Sequence, residues 1–108
     1  MRPMLRRPLL AVIVVVVLSG CGSLEGKFGE ELYRTGCAAC HGADLSGGTG
    51  LAIGPGSNAD IGLSDQQLAG VIRVGPGSMP SYGGRLTEAQ IESLVVYMRL
   101  VQREPSDP

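Results

Sequence analysis

Residues 37–41, Cys-Ala-Ala-Cys-His, decide the fold, because they fit the C-x-x-C-H pattern of covalent haem attachment. Cysteines three positions apart lie on the same side of a helical turn, where their sulfurs can reach the two vinyl groups of one porphyrin. The histidine follows directly and can present its imidazole to the iron. We therefore predict that Cys37 and Cys40 bind one haem c covalently and that His41 is an axial ligand of its iron.

The same residues allow three other interpretations. A thioredoxin-type redox pair expects a βαβ setting, and the sequence shows no sustained strand alternation. A structural zinc site needs four ligands, whereas His41 is the only histidine and Cys21 is the only further cysteine. A disulfide between Cys37 and Cys40 stays open from these residues alone, although an export signal and a small core agree better with haem.

The first twenty residues predict an export signal that is cleaved. Three arginines precede an unbroken apolar run at residues 9–18, LLAVIVVVVL. Ten residues rise about 15 Å as a helix, which is half of a hydrocarbon core of about 30 Å. The run is therefore too short to span a membrane, and an uncleaved anchor is the alternative.

The end of this signal, Leu18-Ser19-Gly20-Cys21, resembles the lipobox of bacterial lipoproteins. The resemblance implies cleavage before Cys21 and a lipid on its sulfur, which would give stable anchoring with two or more acyl chains. Residues 21–24 would then be a short lipidated tether. An ordinary signal cut nearby, without lipid, is the alternative.

Composition limits what the remaining chain can do. The signal holds three of the nine basic residues and none of the ten acidic ones, so the mature net charge is about −4. Nucleic acid binding needs a basic face, so we do not expect this chain to bind nucleic acid. The mature chain is also short, rich in glycine and free of tryptophan. Such a domain buries little apolar surface by itself, so a large cofactor is expected to stabilise it.

Helical periodicity and capping signals predict an all-α fold with three main helices and long loops. Ser64 with Gln67, and Thr87 with Gln90, fit capping boxes. The predicted helices are residues 25–40, 64–74 and 87–103, with loops at 42–63 and 75–86. The last helix has an apolar face, formed by Ile91, Leu94, Val95, Met98 and Val101. We therefore predict one domain at residues 25–103 and a disordered tail at residues 104–108.

Residues 25–103 resemble a class I mono-haem cytochrome c of the small bacterial kind. Besides the haem motif, the resemblance rests on a glycine–aromatic–cysteine run and a leucine–tyrosine pair: Gly29, Tyr33 and Cys37, then Leu94 and Tyr97. It implies that the first and last helices cross closely, with the glycine at the contact. It also implies a helical bundle wrapped around one haem, and electron transfer rather than enzymatic catalysis.

The resemblance also implies the sixth iron ligand. The family places a methionine followed by proline in the loop after the second helix, and Met79 with Pro80 matches that pattern. Met98 lies on the apolar face of the last helix, where packing is its expected role. A methionine thioether opposite histidine favours ferrous iron relative to two nitrogen ligands.

Two further residues are candidates for roles around the haem. Pro55 resembles the loop proline whose carbonyl accepts a hydrogen bond from the ligand histidine, and a plain turn proline is the alternative. Tyr82 could pack on the haem edge or bind a propionate, or could simply face solvent. Arg73 and Arg85 could pair with propionates, but a solvated charge is the preferred interpretation.

The expected function is that of a monomeric, membrane-tethered electron carrier that docks transiently on redox partners. These partners would be an oxidase, a dehydrogenase or a bc-type complex. The protein would be exported and anchored on the outer face of the cytoplasmic membrane or in the periplasm. Two alternatives are a fixed subunit of a larger complex, and a ligand-binding haem protein in which Met79 does not bind iron.

Overall fold

The computed structural model describes residues 23–104, and all regular secondary structure within that range is helical. The five helices are α1 Gly29–Gly36, α2 Ala38–His41, α3 Asn58–Ile61, α4 Asp65–Val74 and α5 Glu88–Gln102. The all-α prediction is confirmed. No helix in this range is long and apolar enough to cross a membrane. The predicted signal, Cys21 and nearly all of the predicted tail lie outside the described residues.

The first predicted helix is shorter than expected and is broken in two. Its start is set by Gly26 and Gly29, whose φ angles of 70° and 54° lie outside the right-handed helical region. The break falls at Cys37, where φ is −126°. Helix α2 restarts directly after it, so the haem motif occupies its own turn instead of the end of one long helix.

The two later helices confirm their predicted capping signals. At the start of α4, Ser64 accepts from the Gln67 backbone N–H while the Gln67 side chain bonds back to Ser64. Thr87 and Gln90 make the same reciprocal pair at the start of α5. Helix α3, with four residues, lies inside the predicted loop at 42–63 and is capped by Ser57. So short a helix leaves almost no periodic signal in a sequence.

The core is centred on a crossing of α1 and α5, the pair of helices with the most extensive contact. The rings of Tyr33 and Tyr97 lie 5.3 Å apart at 42°, and the Gly29 backbone N–H donates to Ser93 Oγ at 2.9 Å. The implied contact at Gly29 is therefore present. Its reason is different from close packing, because a Cβ on Gly29 would meet nothing within 4 Å. Glycine is favoured there by the positive φ.

The segment predicted as a tether ends inside the folded domain. Leu24 is buried, and its carbonyl accepts a hydrogen bond from Gln90 Nε2 at 2.7 Å. Its side chain fills the space beside Gly36, where an added Cβ would lie 3.1 Å from Leu24 Cδ2. Leu24 therefore packs with the domain, because an apolar side chain close to α1 gains by being buried.

Arg99 on α5 joins the last helix to α3, to the start of α4 and to the residues between them. Its guanidinium donates to the carbonyl oxygens of Ala59 at 3.0 Å and Leu63 at 2.6 Å, and it pairs with Asp65 at 2.7 Å. Arg99 is not one of the residues of the predicted apolar face of this helix, in agreement with its polar contacts. The sequence did not indicate that this side chain would hold main-chain carbonyls.

Candidate functional site

The haem motif forms one tight turn with both cysteines available. The backbone N–H groups of Cys40 and His41 donate to the Cys37 carbonyl at 3.2 and 3.0 Å. Neither thiol is in a disulfide; Cys37 is half-buried and Cys40 is exposed. Burial, followed by the neighbouring Cys40, raises the pKa of Cys37 to about 11. Cys37 is therefore a neutral thiol near neutral pH.

His41 is oriented by a main-chain carbonyl. Its Nδ1 lies 2.8 Å from the carbonyl oxygen of Leu51, which can only accept a hydrogen bond. This contact assigns the proton to Nδ1 and leaves Nε2 with its lone pair free for a metal. The Leu51 side chain is 83% exposed although its carbonyl adjoins His41.

The structure pairs His41 with Leu51 and not with Pro55, the residue predicted for this bond. Pro55 is exposed and belongs to the turn that leads into α3. The residues just before it, Ile53 and Gly54, are tied by their N–H groups to the Leu45 carbonyl at 2.9 and 3.0 Å. This anchoring separates Pro55 from the histidine contact. A main-chain acceptor such as Leu51 has no signature in the sequence.

The glycine-rich segment after His41 folds back onto the haem motif. Gly47 N–H donates to the His41 carbonyl at 2.8 Å, and Gly50 N–H donates to the Cys40 carbonyl at 2.7 Å. A Cβ on Gly50 would lie 3.2 Å from His41 Cε1. This part of the predicted loop at 42–63 therefore packs closely against the cysteine–histidine turn, and glycine makes the approach possible.

Two tyrosine hydroxyls hold the two ends of the haem motif. Tyr33 donates to the carbonyl of Gly42, the residue after His41, at 2.7 Å. Tyr82 donates to the carbonyl of Gly36, the residue before Cys37, at 2.8 Å. Both tyrosines are buried, and burial raises the pKa of each phenol. The sequence suggested Tyr82 for a haem edge or propionate, and it gave no indication of the hydroxyl contact of Tyr33.

Met79 lies in a loop that is closed against the end of α4. Tyr82 N–H donates to the Ile72 carbonyl at 3.1 Å, and Gly83 N–H donates to the Arg73 carbonyl at 3.1 Å. Met79 itself is half-buried and, like Cys37, packs against the hydrophobic core. Met98 is buried in that core, as its position on α5 predicted. The methionine loop and the haem motif therefore contact the same core.

The two candidate propionate partners have protein partners of their own. Arg73 Nε and Nη2 contact both carboxylate oxygens of Glu88, which lowers the pKa of that carboxyl. Arg85 lies over the ring of Tyr82 at 5.2 Å from its centroid. These contacts leave Arg73 engaged in an exposed ion pair and Arg85 stacked on an aromatic ring, so neither needs a propionate to be satisfied.

These residues fit a covalently bound haem. The turn offers two free thiols of suitable spacing, and His41 has a free Nε2 because its Nδ1 is occupied. Leu51, whose carbonyl contacts that histidine, is largely exposed, and a porphyrin packed against it would reduce its contact with water. The turn thus supplies two sulfurs for attachment and one nitrogen donor, while Met79 packs against the same core as Cys37.

Residues 25–98 match the family described as cytochrome c oxidase, cbb3-type, subunit III. The chain therefore belongs to this family, and with it to the class I mono-haem c-type cytochromes, which carry one covalent haem c. The match covers the haem motif, the methionine loop and most of α5. It confirms the family resemblance, the cofactor and the helical fold that were expected from the sequence.

Individual relatives agree with this assignment. The chain is 30% identical over 81 residues to cytochrome c6 of Bryopsis maxima, covering 71% of this chain and 90% of that protein. It is 40% identical over 82 residues to dihydro-heme d1 dehydrogenase of Pseudomonas aeruginosa, covering 74% of this chain but only 16% of that protein. Among solved structures, the c-type cytochrome NirC matches with a TM-score of 0.58 and 28% identity, over 70% of this chain and 89% of that one.

Proposed function

We propose that the protein is a one-electron carrier whose haem is bound through thioethers at Cys37 and Cys40, with His41 and Met79 as axial ligands. The observation that carries the proposal is the His41 contact, since a ring held at Nδ1 by the Leu51 carbonyl presents Nε2 for coordination. When bound, haem iron supplies one-electron chemistry by alternating between its ferric and ferrous forms.

The chain's own residues suit electron transfer more than substrate chemistry. Met79 would fill the sixth position, which leaves no open site on the metal. His41 is the only histidine in the sequence, so no second imidazole is at hand for acid–base work. The protein is on this account a carrier and not an enzyme.

The carrier would be exported and held at a membrane by lipid on Cys21. A tether confines the search for partners to the membrane surface and raises their effective concentration. The partners are proposed to be an oxidase, a dehydrogenase or a bc-type complex that docks transiently on the monomer. Replacing Cys21→Ala should release the protein from the membrane fraction. Continued membrane association of that variant would overturn the lipid anchor.

A fixed role inside a larger assembly is the second candidate. It is favoured by the match to dihydro-heme d1 dehydrogenase, because there a similar domain makes up one sixth of a longer protein. Co-purification of the chain with one partner in constant stoichiometry, through gel filtration at moderate salt, would support this candidate. Isolation as a free monomer would support the shuttle.

The ligand assignment is tested by the absorption spectrum of the purified holoprotein, oxidised and reduced. We expect a low-spin c-type spectrum with the weak far-red band of an iron–thioether bond. Met79→Ala should abolish that band, while the matched variant Met98→Leu should keep it because Met98 is a core residue. A band that survives in Met79→Ala would overturn the assignment of the sixth ligand.

A further inference from the structure

The loop at residues 75–86, which carries Met79, has two buried residues, Tyr82 and, at its end, Leu86. Between residues 75 and 85 only Tyr82 is buried, while Met79 is half-buried and most of the other positions are exposed. A loop with so little packing is expected to open locally more easily than the helices do. Tyr82 is the buried residue nearer to Met79 in sequence, so the contacts that hold it bear most directly on that part of the loop.

Tyr82 is held at both its main chain and its side chain. Its N–H donates to the Ile72 carbonyl on α4 at 3.1 Å, and its own carbonyl accepts from the N–H groups of Arg85 and Leu86. Its hydroxyl crosses to another part of the chain, 46 positions away, and donates to the Gly36 carbonyl at 2.8 Å. The guanidinium of Arg85 covers one side of the ring.

The acceptor of this hydroxyl is directly beside the haem motif. Gly36 is the last residue of α1 and precedes Cys37, while Tyr82 follows Met79 by three positions. The Tyr82–Gly36 hydrogen bond thus joins the segment with the proposed sixth ligand to the segment with both cysteines and the proposed fifth ligand. A phenylalanine could fill the same space in the core but could not make this connection.

We propose that Tyr82 is a positioning residue for Met79, acting through its hydroxyl bond to the Gly36 carbonyl. This inference rests on the proposed ligation by Met79. The bond keeps the methionine loop in register with the haem motif, so that the thioether stays at the iron. Without the bond the loop would leave the motif more often, and an external ligand could replace the thioether more readily.

Tyr33 supplies a matched control. Its hydroxyl also donates to a glycine carbonyl, Gly42, at the opposite end of the haem motif and at a similar distance of 2.7 Å. Tyr33→Phe removes a buried hydrogen bond of the same chemistry but leaves the methionine loop untouched. Any general loss of stability should therefore be common to both variants, whereas an effect on Met79 should be specific to Tyr82→Phe.

The experiment follows replacement of the thioether by imidazole in the ferric holoprotein, read from loss of the far-red band in stopped flow. In Tyr82→Phe we expect imidazole to bind about fivefold faster, the size of effect given by loss of one neutral hydrogen bond. Tyr33→Phe should bind imidazole at the wild-type rate. Unfolding in urea, followed by circular dichroism, measures the general loss of stability in both variants.

The outcomes test ligation by Met79 and the positioning role of Tyr82 separately. Wild-type protein without a far-red band would overturn ligation by Met79 and with it the role of Tyr82. A normal band with equal imidazole rates in wild type and Tyr82→Phe would overturn the positioning role alone. Equal acceleration in Tyr82→Phe and Tyr33→Phe would also overturn it, because the effect would then be general destabilisation.

Discussion

The α1–α5 crossing and the two loops around the haem motif are stabilised in different ways. The crossing buries large side chains against each other, among them Leu32, Tyr33, Ile91 and Leu94. The loops at residues 42–57 and 75–86 bury few side chains, chiefly Leu45, Tyr82 and Leu86, and are held mainly by N–H and hydroxyl groups that donate to main-chain carbonyls.

The difference shows which part of the domain its sequence can stabilise alone. Apolar packing at the crossing needs no cofactor, because its contacts are complete within the protein. The loops adjoin a site at which Leu51, the residue whose carbonyl contacts His41, is 83% exposed. Their hydrogen bonds fix geometry around a group that must supply much of the buried surface itself.

The largest effect is expected from a cavity at the crossing. Leu94 is 1% exposed, so Leu94→Ala should lower the free energy of unfolding of the holoprotein by about 3 kcal/mol. Val96 on the same helix is 54% exposed, and Val96→Ala should change it by less than about 0.5 kcal/mol. Urea titration followed by circular dichroism measures both. Similar losses in the two variants would contradict a core centred on this crossing.

Substitutions at two glycines with positive φ, Gly29 at the crossing and Gly75 in the methionine loop, allow a direct comparison of the two regions. In Gly29→Ala at the crossing the new Cβ meets nothing within 4 Å, so only the backbone conformation costs energy, about 1 kcal/mol. In Gly75→Ala the Cβ would lie 2.4 Å from the Pro80 carbonyl oxygen and 2.6 Å from that of Met79. We expect Gly75→Ala to lower the free energy of unfolding by at least about 2 kcal/mol.

The same glycine pair has a spectroscopic consequence. Because Gly75→Ala must displace the backbone at Met79, the far-red band should weaken or disappear in this variant. Gly29→Ala should leave the band intact. If both variants kept a full band, the methionine loop would be more tolerant than its contact with Gly75 indicates.

A smaller effect separates two arginines that both form ion pairs. Arg99 is 14% exposed and donates to main-chain carbonyls as well as to Asp65, so Arg99→Gln should cost about 1.5 kcal/mol. Arg73 is 41% exposed and pairs with the exposed Glu88, so Arg73→Gln should lower the free energy of unfolding clearly less than Arg99→Gln does. Equal losses in urea unfolding would mean that the carbonyl contacts of Arg99 contribute little.

The sequence predicted those features that side-chain patterns encode. Helices α4 and α5 were predicted because their capping boxes and apolar faces are local signals. The haem motif was visible because its chemistry requires two cysteines and a histidine at fixed spacing. Cofactor and family followed from these residues, and the family match agrees with them.

The features that were missed depend on main-chain groups or on contacts between distant residues. The histidine partner was expected at Pro55 but is the carbonyl of Leu51, and every residue type has such a carbonyl. The break at Cys37 and the burial of Leu24 are set by packing against the rest of the domain. Nothing in the sequence indicated the contacts of Arg99, because its partners at residues 59–65 come close to it only in the folded domain.

The crossing of α1 and α5 also fixes an order of events for a chain that emerges from its N-terminus. Gly29 and Ser93 bond across 64 positions, so α1 lacks its most extensive packing partner until the last helix is available. Closing so long a loop is entropically costly and slow. Cys37, Cys40 and His41 emerge well before that helix. The thiols are therefore accessible on an open chain during an interval whose length is set by the distance in sequence between the two helices.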